Sequence, residues 1–245
     1  MPSWIGQAAH RGILTSRYPR APATEAEVPM TARAPGPPAA GPLAAAAISV
    51  CPVGAIGERA VDQGRCIRCA RCLAHGLQPV GPVELTAARA EELVAPPGAR
   101  GPPAPAPPLA SFGRSIHVLL VDVGSCNACN LEVLGIANPL YDAARLGIFF
   151  TNSPRHADVL LVVGVPTDEM VEPLRRAYEA MPAPKSVIAI GACPISGGAF
   201  RGNPGLRPSL DGLVPVDRFV PGCPPAPVQI LDALLTVSGR NRREG

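Results

Sequence analysis

The chain has 245 residues, enough for one or two domains, and 47% of them are apolar. Its formal charge of +3 and its lack of any basic block argue against nucleic-acid binding. Proline is abundant, and 18 of the 32 prolines precede residue 111, so the front of the chain is expected to be less globular than the rest. No stretch reaches the ~18 apolar residues that a membrane span needs, and the N-terminus has no apolar segment of signal-peptide length.

The front of the chain divides into linkers and a small module that contains cysteines. Residues 1–42 are expected to form an N-terminal arm and a flexible linker rich in Pro and Ala. Residues 43–80 contain four cysteines and form the predicted module. Residues 81–112 include "APPGARGPPAPAPP", which is typical of an extended, semi-rigid spacer.

The second half of the chain, residues 113–239, is predicted to be an α/β domain, followed by a polar tail at residues 240–245. Apolar runs typical of buried strands occupy residues 115–124, 147–152, 158–165 and 186–192, with a candidate fifth strand at residues 214–220. Helices are predicted over residues 138–146, 168–181 and 225–239. This alternation indicates a flavodoxin-like open parallel sheet with helices on both faces.

The eight cysteines form two groups of four. The first group is Cys51, Cys66, Cys69 and Cys72, and the second is Cys126, Cys129, Cys193 and Cys223. Disulfides are disfavoured because the chain shows no secretion signal. Both groups are therefore candidates for metal binding.

The first group is explained by a rearranged ferredoxin pattern. In the bacterial run C-x2-C-x2-C-x3-C-P, the fourth cysteine serves the other cluster of a two-cluster protein. Cys51, followed by proline, and the run "RCIRCARC" at residues 65–72 together supply one complete ligand set. The ligands of a second cluster are replaced by Gly41, Ala44, Ala47 and Gly76. The module thus resembles the ferredoxin-type, two-[4Fe-4S] subunits of hydrogenase and complex I assemblies, reduced to one cluster.

Two questions remain open for this module. The first is its metal, because a four-cysteine zinc site is an alternative, although such sites usually pair two C-x2-C motifs. The second is the role of the arginines that precede the three cysteines of the run, Arg65, Arg68 and Arg71. They are candidates to stabilise the reduced, more negative form of a cluster, or they reflect a general preference for arginine and ordinary solvation.

The second group of cysteines follows predicted strands. Cys126 and Cys129 come after the first strand, Cys193 follows "SVIAIGA", and Cys223 follows "VPVDRFV". The carboxyl ends of parallel strands form the edge of an open sheet where ligands bind. Small residues around these cysteines are expected where backbone must approach a bulky inorganic group.

Two segments carry a specific family resemblance, "GACPISGGAF" and "VPVDRFVPGCPPAPVQILDALL". They are similar to the 20-kDa, B-type subunit of complex I and the small subunit of group 4 membrane-bound [NiFe]-hydrogenases, over about residues 114 to 238. That resemblance implies one [4Fe-4S] cluster on Cys126, Cys129, Cys193 and Cys223. Together with the module, it implies two [4Fe-4S] clusters in a natural fusion of two electron-transfer subunits.

One detail of the motif favours the hydrogenase branch of this family. Complex I quinone-reducing subunits have two adjacent cysteines at the first position, whereas this chain has Cys126-Asn127-Ala128-Cys129. The stretches "DVGSCNACNLEVLG" and "NPLYDAARLGIFFTNSPRHADVLLVVG" are similar to formate-hydrogenlyase-type small subunits. A B-type subunit of a complex I-like NADH/quinone oxidoreductase is the alternative, and a zinc-bound structural module is the alternative from a different class.

Four further residues are weighed as neighbours of the second group. Glu132, on the helix after Cys129, is a candidate proton relay or an exposed first-turn acid. Arg155 and His156 are candidates to tune the cluster or to be solvated loop residues. Asp122, at the end of a strand, is expected to cap a loop.

The sequence thus predicts an electron-transfer subunit of an oxidoreductase complex, with no catalytic residues of its own. The resemblance implies electron relay between a ferredoxin-type donor and a [NiFe] site on a hydrogenase large subunit, or a complex I 49-kDa-like subunit in the alternative. Other iron–sulfur and membrane subunits are expected partners. The expected location is the cytoplasmic face of the inner membrane, reached through these partners.

Overall fold

The computed structural model describes residues 15–21, 34–36, 45–80, 86–94 and 107–240. Each helix within these ranges is too short or too polar to cross a membrane. The predicted polar tail and most of the proline-rich stretches lie outside the described residues.

Seven strands and five helices make up the regular structure of the described residues. The strands are β1 (Ala34–Gly36), β2 (Gln78–Val80), β3 (Ile116–Asp122), β4 (Ile148–Phe150), β5 (Val159–Val163), β6 (Ser186–Ile190) and β7 (Arg218–Val220). The helices are α1 (Ala45–Ser49), α2 (Ala128–Gly135), α3 (Asp168–Ala180), α4 (Ala192–Ser196) and α5 (Pro227–Val237). Short 3-10 turns lie at Arg71–His75, Ala90–Val94, Ala143–Leu146, Pro154–His156 and Gly198–Phe200.

Strands β3 to β7 form one parallel sheet in the order β4-β3-β5-β6-β7. Its central strands β5 and β6 are buried at every position, as expected for apolar strands covered on both faces. The α/β fold predicted from the sequence is confirmed, and the carboxyl ends of β3, β5, β6 and β7 meet at one edge.

Helices cover both faces of the sheet, as predicted. Alternate residues of β5 point to opposite sides, so that Val159, Leu161 and Val163 pack with α2 and α5, while Leu160 and Val162 pack with α3. The two resulting apolar layers bury the sheet from both sides.

The helix predicted over residues 138–146 is wrong. The Asn138 side chain accepts hydrogen bonds from the backbone N–H groups of Leu140 and Tyr141, at 2.9 and 3.1 Å. This local arrangement competes with helical hydrogen bonding. Asp142 then adopts a left-handed φ of 48°, and only the short turn Ala143–Leu146 follows.

Segments from the front of the chain cover the outer side of α5. This helix is buried on nearly all sides, which explains its apolar sequence. Leu109 is fully buried, and its N–H donates to the carbonyl of Val237 at 3.0 Å. Tyr18 is also buried, and its hydroxyl donates to Asp232 Oδ1 at 2.7 Å. Parts of the predicted arm and spacer are therefore packed against the α/β domain.

The cysteine module has a small core of its own. Ala47, Ile56, Val61, Cys72 and Leu77 pack together. Strands β1 and β2 form a separate antiparallel pair beside it. Because so few apolar residues are buried here, contacts with the α/β domain must contribute to its stability.

Candidate iron–sulfur sites

Cys126, Cys129, Cys193 and Cys223, hereafter the domain cysteines, lie at the carboxyl edge of the parallel sheet. Cys126 and Cys129 follow β3, with Cys129 in the first turn of α2. Cys193 is in α4, directly after β6, and Cys223 lies between β7 and α5. The fold therefore brings together three segments that are far apart in the sequence.

Close backbone approach holds these segments together. The N–H of Ala192 donates to the carbonyl of Gly222 at 2.7 Å, which places the Cys193 and Cys223 segments side by side. Gly191 has a φ of +93°, and a Cβ at this position would lie 2.7 Å from Cys129 Sγ. The sulfur of Cys129 thus packs onto the end of β6, in space that only glycine leaves free.

The domain cysteines interact electrostatically with one another. Burial raises the pKa of Cys129 to about 12, and the neighbouring thiolates of Cys193, Cys223 and Cys126 add to this increase. Burial and the charges of Cys223 and Cys126 likewise raise the pKa of Cys193 to about 11. Only a positively charged centre, as a metal would provide, could hold these buried thiols as thiolates at neutral pH.

The loop that carries Cys126 is organised by Asp122. This carboxylate accepts hydrogen bonds from the N–H groups of Gly124 and Ser125, from the Ser125 hydroxyl and from the Asn130 side-chain amide, at 2.6–2.9 Å. Burial opposes ionisation of Asp122, but these donors outweigh it and lower the pKa of the carboxyl. Asp122 therefore caps the loop, as expected from the sequence.

Cys51, Cys66, Cys69 and Cys72, hereafter the module cysteines, form the second set. Burial raises the pKa of Cys66 to about 11; the N–H and charge of Arg68 oppose this, and Cys72 and Cys51 add to it. Burial also raises the pKa of Cys72, with contributions from Cys69 and Cys51. Cys66 and Cys51 thus lie close enough to interact, as do Cys72 and each of Cys69 and Cys51.

Backbone donors and an unusual loop conformation support this second set. The N–H of Ala55 donates to Cys51 Sγ at 3.2 Å, and the N–H of Arg68 donates to Cys66 Sγ at 3.4 Å. Arg68 and Ala70 adopt left-handed φ values of 54° and 62°. Such strain in non-glycine residues persists where the surrounding structure requires it. Asn127, between Cys126 and Cys129, shares this feature with a φ of 73°.

Each cysteine set offers four thiol donors, the ligand type and number that a [4Fe-4S] cluster takes. Within the described residues, no three His, Cys, Asp or Glu side chains converge closely enough to hold one metal ion.

Comparison with known proteins identifies the family. The profile of the family described as "NADH ubiquinone oxidoreductase, 20 Kd subunit" matches residues 126–237, which include all four domain cysteines. The "Probable membrane-bound hydrogenase subunit mbhJ" of Pyrococcus furiosus is 49% identical over 124 residues, or 51% of this chain and 74% of the relative. The chain belongs to the NADH–ubiquinone oxidoreductase 20-kDa subunit family.

Two further proteins are similar to parts of this chain. Formate hydrogenlyase subunit 7 of Escherichia coli is 45% identical over 123 residues, which cover 50% of this chain and 48% of that protein. A chain in the structure of an archaeal membrane-bound sulfane sulfur reductase is 30% identical, covering 53% of this chain and 71% of that chain, with a TM-score of 0.47. The chain is thus a subunit of the membrane-bound hydrogenase and complex I-like oxidoreductase family, whose members typically bind an iron–sulfur cluster.

The α/β domain and the cysteine module meet at Arg68. Its side chain is buried, with Nη2 donating to the carbonyl of Pro221 at 2.7 Å and Nη1 donating to Gln229 Oε1 at 3.2 Å. Burial lowers the pKa of Arg68 to about 10, while Cys66 and Cys223 act in the opposite direction. The guanidinium therefore stays charged at neutral pH. The motif "RCIRC" marked this arginine, but its acceptors are more than 150 residues away and gave no signal in the sequence.

Arg65 and Arg71 occupy different environments from Arg68. Arg65 donates to the carbonyl of Gly54 at 3.2 Å and lies 3.7 Å from Asp62, at the surface of the module. Arg71 is exposed. Of the three arginines, only Arg68 lies between the two cysteine sets.

The remaining candidates divide between the two edges of the sheet. Glu132 lies on α2 near Cys129, and burial raises the pKa of its carboxyl. Arg155 and His156 are exposed and precede β5, at the amino edge of the sheet, whereas the domain cysteines lie at the carboxyl edge. The structure does not bring Arg155 or His156 to the candidate cluster.

Proposed function

We propose that the chain is an electron-transfer subunit with two [4Fe-4S] clusters, one on the domain cysteines and one on the module cysteines. The single observation that carries this proposal is the sorting of all eight cysteines into two sets of four, one at the carboxyl edge of the sheet and one in the module. Each cluster would supply one-electron redox chemistry. The protein residues hold the clusters, exclude water from them and set their potentials through hydrogen bonds and burial.

The proposed complex is a membrane-bound hydrogenase, in which this subunit relays electrons between a ferredoxin-type donor and a [NiFe] site on a partner large subunit. Two relatives that are 49% and 45% identical are named as a membrane-bound hydrogenase subunit and a formate hydrogenlyase subunit. The spacing Cys126-Asn127-Ala128-Cys129 supports this branch. We place the subunit at the cytoplasmic face of the membrane, held there by other subunits.

A complex I-like function is the second candidate, favoured by the name of the matching family. In that case electrons would leave for a quinone or a related acceptor beside a 49-kDa-like partner. The two candidates share the clusters on this chain and differ in the metal of the partner subunit.

The test is a metal analysis of the native complex, purified without oxygen through a tag on this chain. We expect about eight irons and eight acid-labile sulfides per chain from the two cubes, together with nickel from the partner and further iron from other subunits. Iron and sulfide without nickel would favour the quinone-linked candidate. Zinc without sulfide would overturn the electron-transfer function.

Two cysteine variants locate the clusters on the purified chain, and each serves as the control for the other. Cys193→Ala is expected to remove the domain cluster, and Cys66→Ala the module cluster. Each variant should therefore retain about four irons, and each should lose a different electron paramagnetic resonance signal on reduction. Loss of the same signal in both variants would contradict the two-cluster assignment.

A further inference from the structure

Arg68 is a buried cation with no carboxylate partner. Its side chain is 8% exposed, and within the described part of the chain it forms no ion pair with Asp or Glu. Its two side-chain acceptors, the carbonyl of Pro221 and the amide of Gln229, are neutral. A buried charge without an opposite charge is strongly destabilising. The compensating negative charge must therefore come from elsewhere.

Under the proposed function, the ligand thiolates of the two clusters would supply that charge. The N–H of Arg68 donates to Cys66 Sγ at 3.4 Å, and Pro221, which accepts from its side chain, is two residues before Cys223. Backbone and side chain of one residue thus reach the two cysteine sets.

The placement of Arg68 is fixed from both directions. Its left-handed φ of 54° turns the side chain out of the "RCIRC" loop, towards the start of α5. There Gln229 accepts from Arg68 and also from the N–H of Ala226 at 3.1 Å, so the acceptor is itself held in place. Arginine suits this site because its planar fork can donate to two acceptors at once.

We infer that Arg68 is a positioning residue for electron transfer between the two clusters, whose fixed positive charge lies between the cysteine sets and raises both reduction potentials. This inference rests on the proposed two-cluster function. Reduction adds negative charge to a centre, and a nearby cation in a dry environment favours the more negative form. When one electron passes between the centres, the total charge of the pair is unchanged, and Arg68 remains close to the electron throughout.

The test is a redox titration of the purified holoprotein, followed by electron paramagnetic resonance. Arg68→Gln is expected to lower both midpoint potentials, with the reduction equilibrium of each cluster falling about tenfold, which is about 59 mV for one electron. Arg71→Gln is the matched control, because Arg71 is an exposed arginine in the same run. Its potentials should stay at the wild-type values.

Arg68→Lys separates the charge from the hydrogen bonds. Lysine keeps the positive charge but lacks the planar fork. Wild-type potentials in Arg68→Lys, together with lowered potentials in Arg68→Gln, would support the inference. Displaced potentials in Arg68→Lys would show that the contacts, and not the charge, matter, and would overturn it.

The iron content of each sample separates the inference from the proposed function. Wild-type protein with fewer than two clusters would overturn the proposed function and, with it, the role of Arg68. Two intact clusters whose potentials are the same in wild type and Arg68→Gln would overturn only the role of Arg68.

Discussion

At the scale of single residues, the cysteine sites depend on side chains that do not bind metal. Asp122 receives four hydrogen bonds from the loop between β3 and α2, and this arrangement fixes the direction in which Cys126 and Cys129 leave the sheet. The folded loop lowers the pKa of this carboxyl and therefore stabilises its ionised form. The hydrogen bonds of Asp122 thus give the loop a defined shape without any contribution from a metal.

Replacement of this carboxylate should weaken the loop measurably. Asp122→Ala removes hydrogen bonds to a charged group, but Asp122 is exposed, so we expect a loss of only about 1 kcal/mol. For a chain of this size the melting temperature should fall by about 2–4 °C. Thermal unfolding of the anaerobic holoprotein at pH 7 measures the effect.

The control is Asp211→Ala, which removes an exposed carboxylate outside the loop between β3 and α2. Its effect should stay within about 0.5 kcal/mol. Equal melting temperatures for the two variants would show that Asp122 does not organise the ligand loop.

At the scale of elements, the domain site is built from strand ends that approach each other closely. The end of β6 passes so near α2 that the backbone at Gly191 touches the sulfur of Cys129. Such a contact cannot be read from one segment, because it depends on the packing of two elements that are more than 60 residues apart.

Gly191→Ala should therefore remove the domain cluster selectively. The new Cβ would lie 2.7 Å from Cys129 Sγ and displace this ligand. Gly202→Ala is the matched control, since Gly202 also has a positive φ, of +85°, but a Cβ there meets no atom within 4 Å. Both variants place an alanine at a positive φ, and only the first has the clash.

Iron analysis and spectroscopy of the purified chain distinguish the two variants. Gly191→Ala should keep about four irons, those of the module, and Gly202→Ala about eight. If Gly191→Ala retained the signal of the domain cluster, the contact between Gly191 and Cys129 would not be a requirement of the site.

Contacts between elements also explain which features of the fold and the site could be predicted from the sequence and which could not. The strands were predictable because continuous apolar runs mark a sheet covered on both faces, as at residues 158–165. The helix predicted at 138–146 failed because the side chain of Asn138 captures the N–H groups that would start it. The contacts of Arg68 were out of reach, since its acceptors lie 153 and 161 residues away.

At the scale of the whole molecule, the front segments and the α/β domain are joined by buried polar contacts. Tyr18 and Thr86 both donate to Asp232 on α5, and Arg218 of β7 donates to Thr86. Arg68 provides a further link near the cysteines. Because these contacts come from three separate parts of the front, we expect the module to keep a fixed position relative to the domain cysteines.

The surface of α2 beside the domain cysteines points to the partner subunit. Leu131 and Leu134, three residues apart on one face of this helix, are 62% and 56% exposed. They follow Cys129, so a partner that exchanges electrons with the domain cluster would cover them. Under the proposed function, this face of α2 is therefore the surface whose contact with the large subunit can be tested.

Leu131→Asp combined with Leu134→Asp should weaken this contact and leave the clusters in place. The two leucines are exposed in the chain itself, so its own stability should change little. Loss of two buried leucines from an interface, at about 1.5–3 kcal/mol each, should weaken binding of the large subunit more than tenfold. Nickel and large subunit recovered per tagged chain measure the loss, and iron in the purified chain reports the clusters.

Val94→Asp, at a site that is 45% exposed on a different element, is the control. Equal recovery of the large subunit with both proteins would place the partner on another surface.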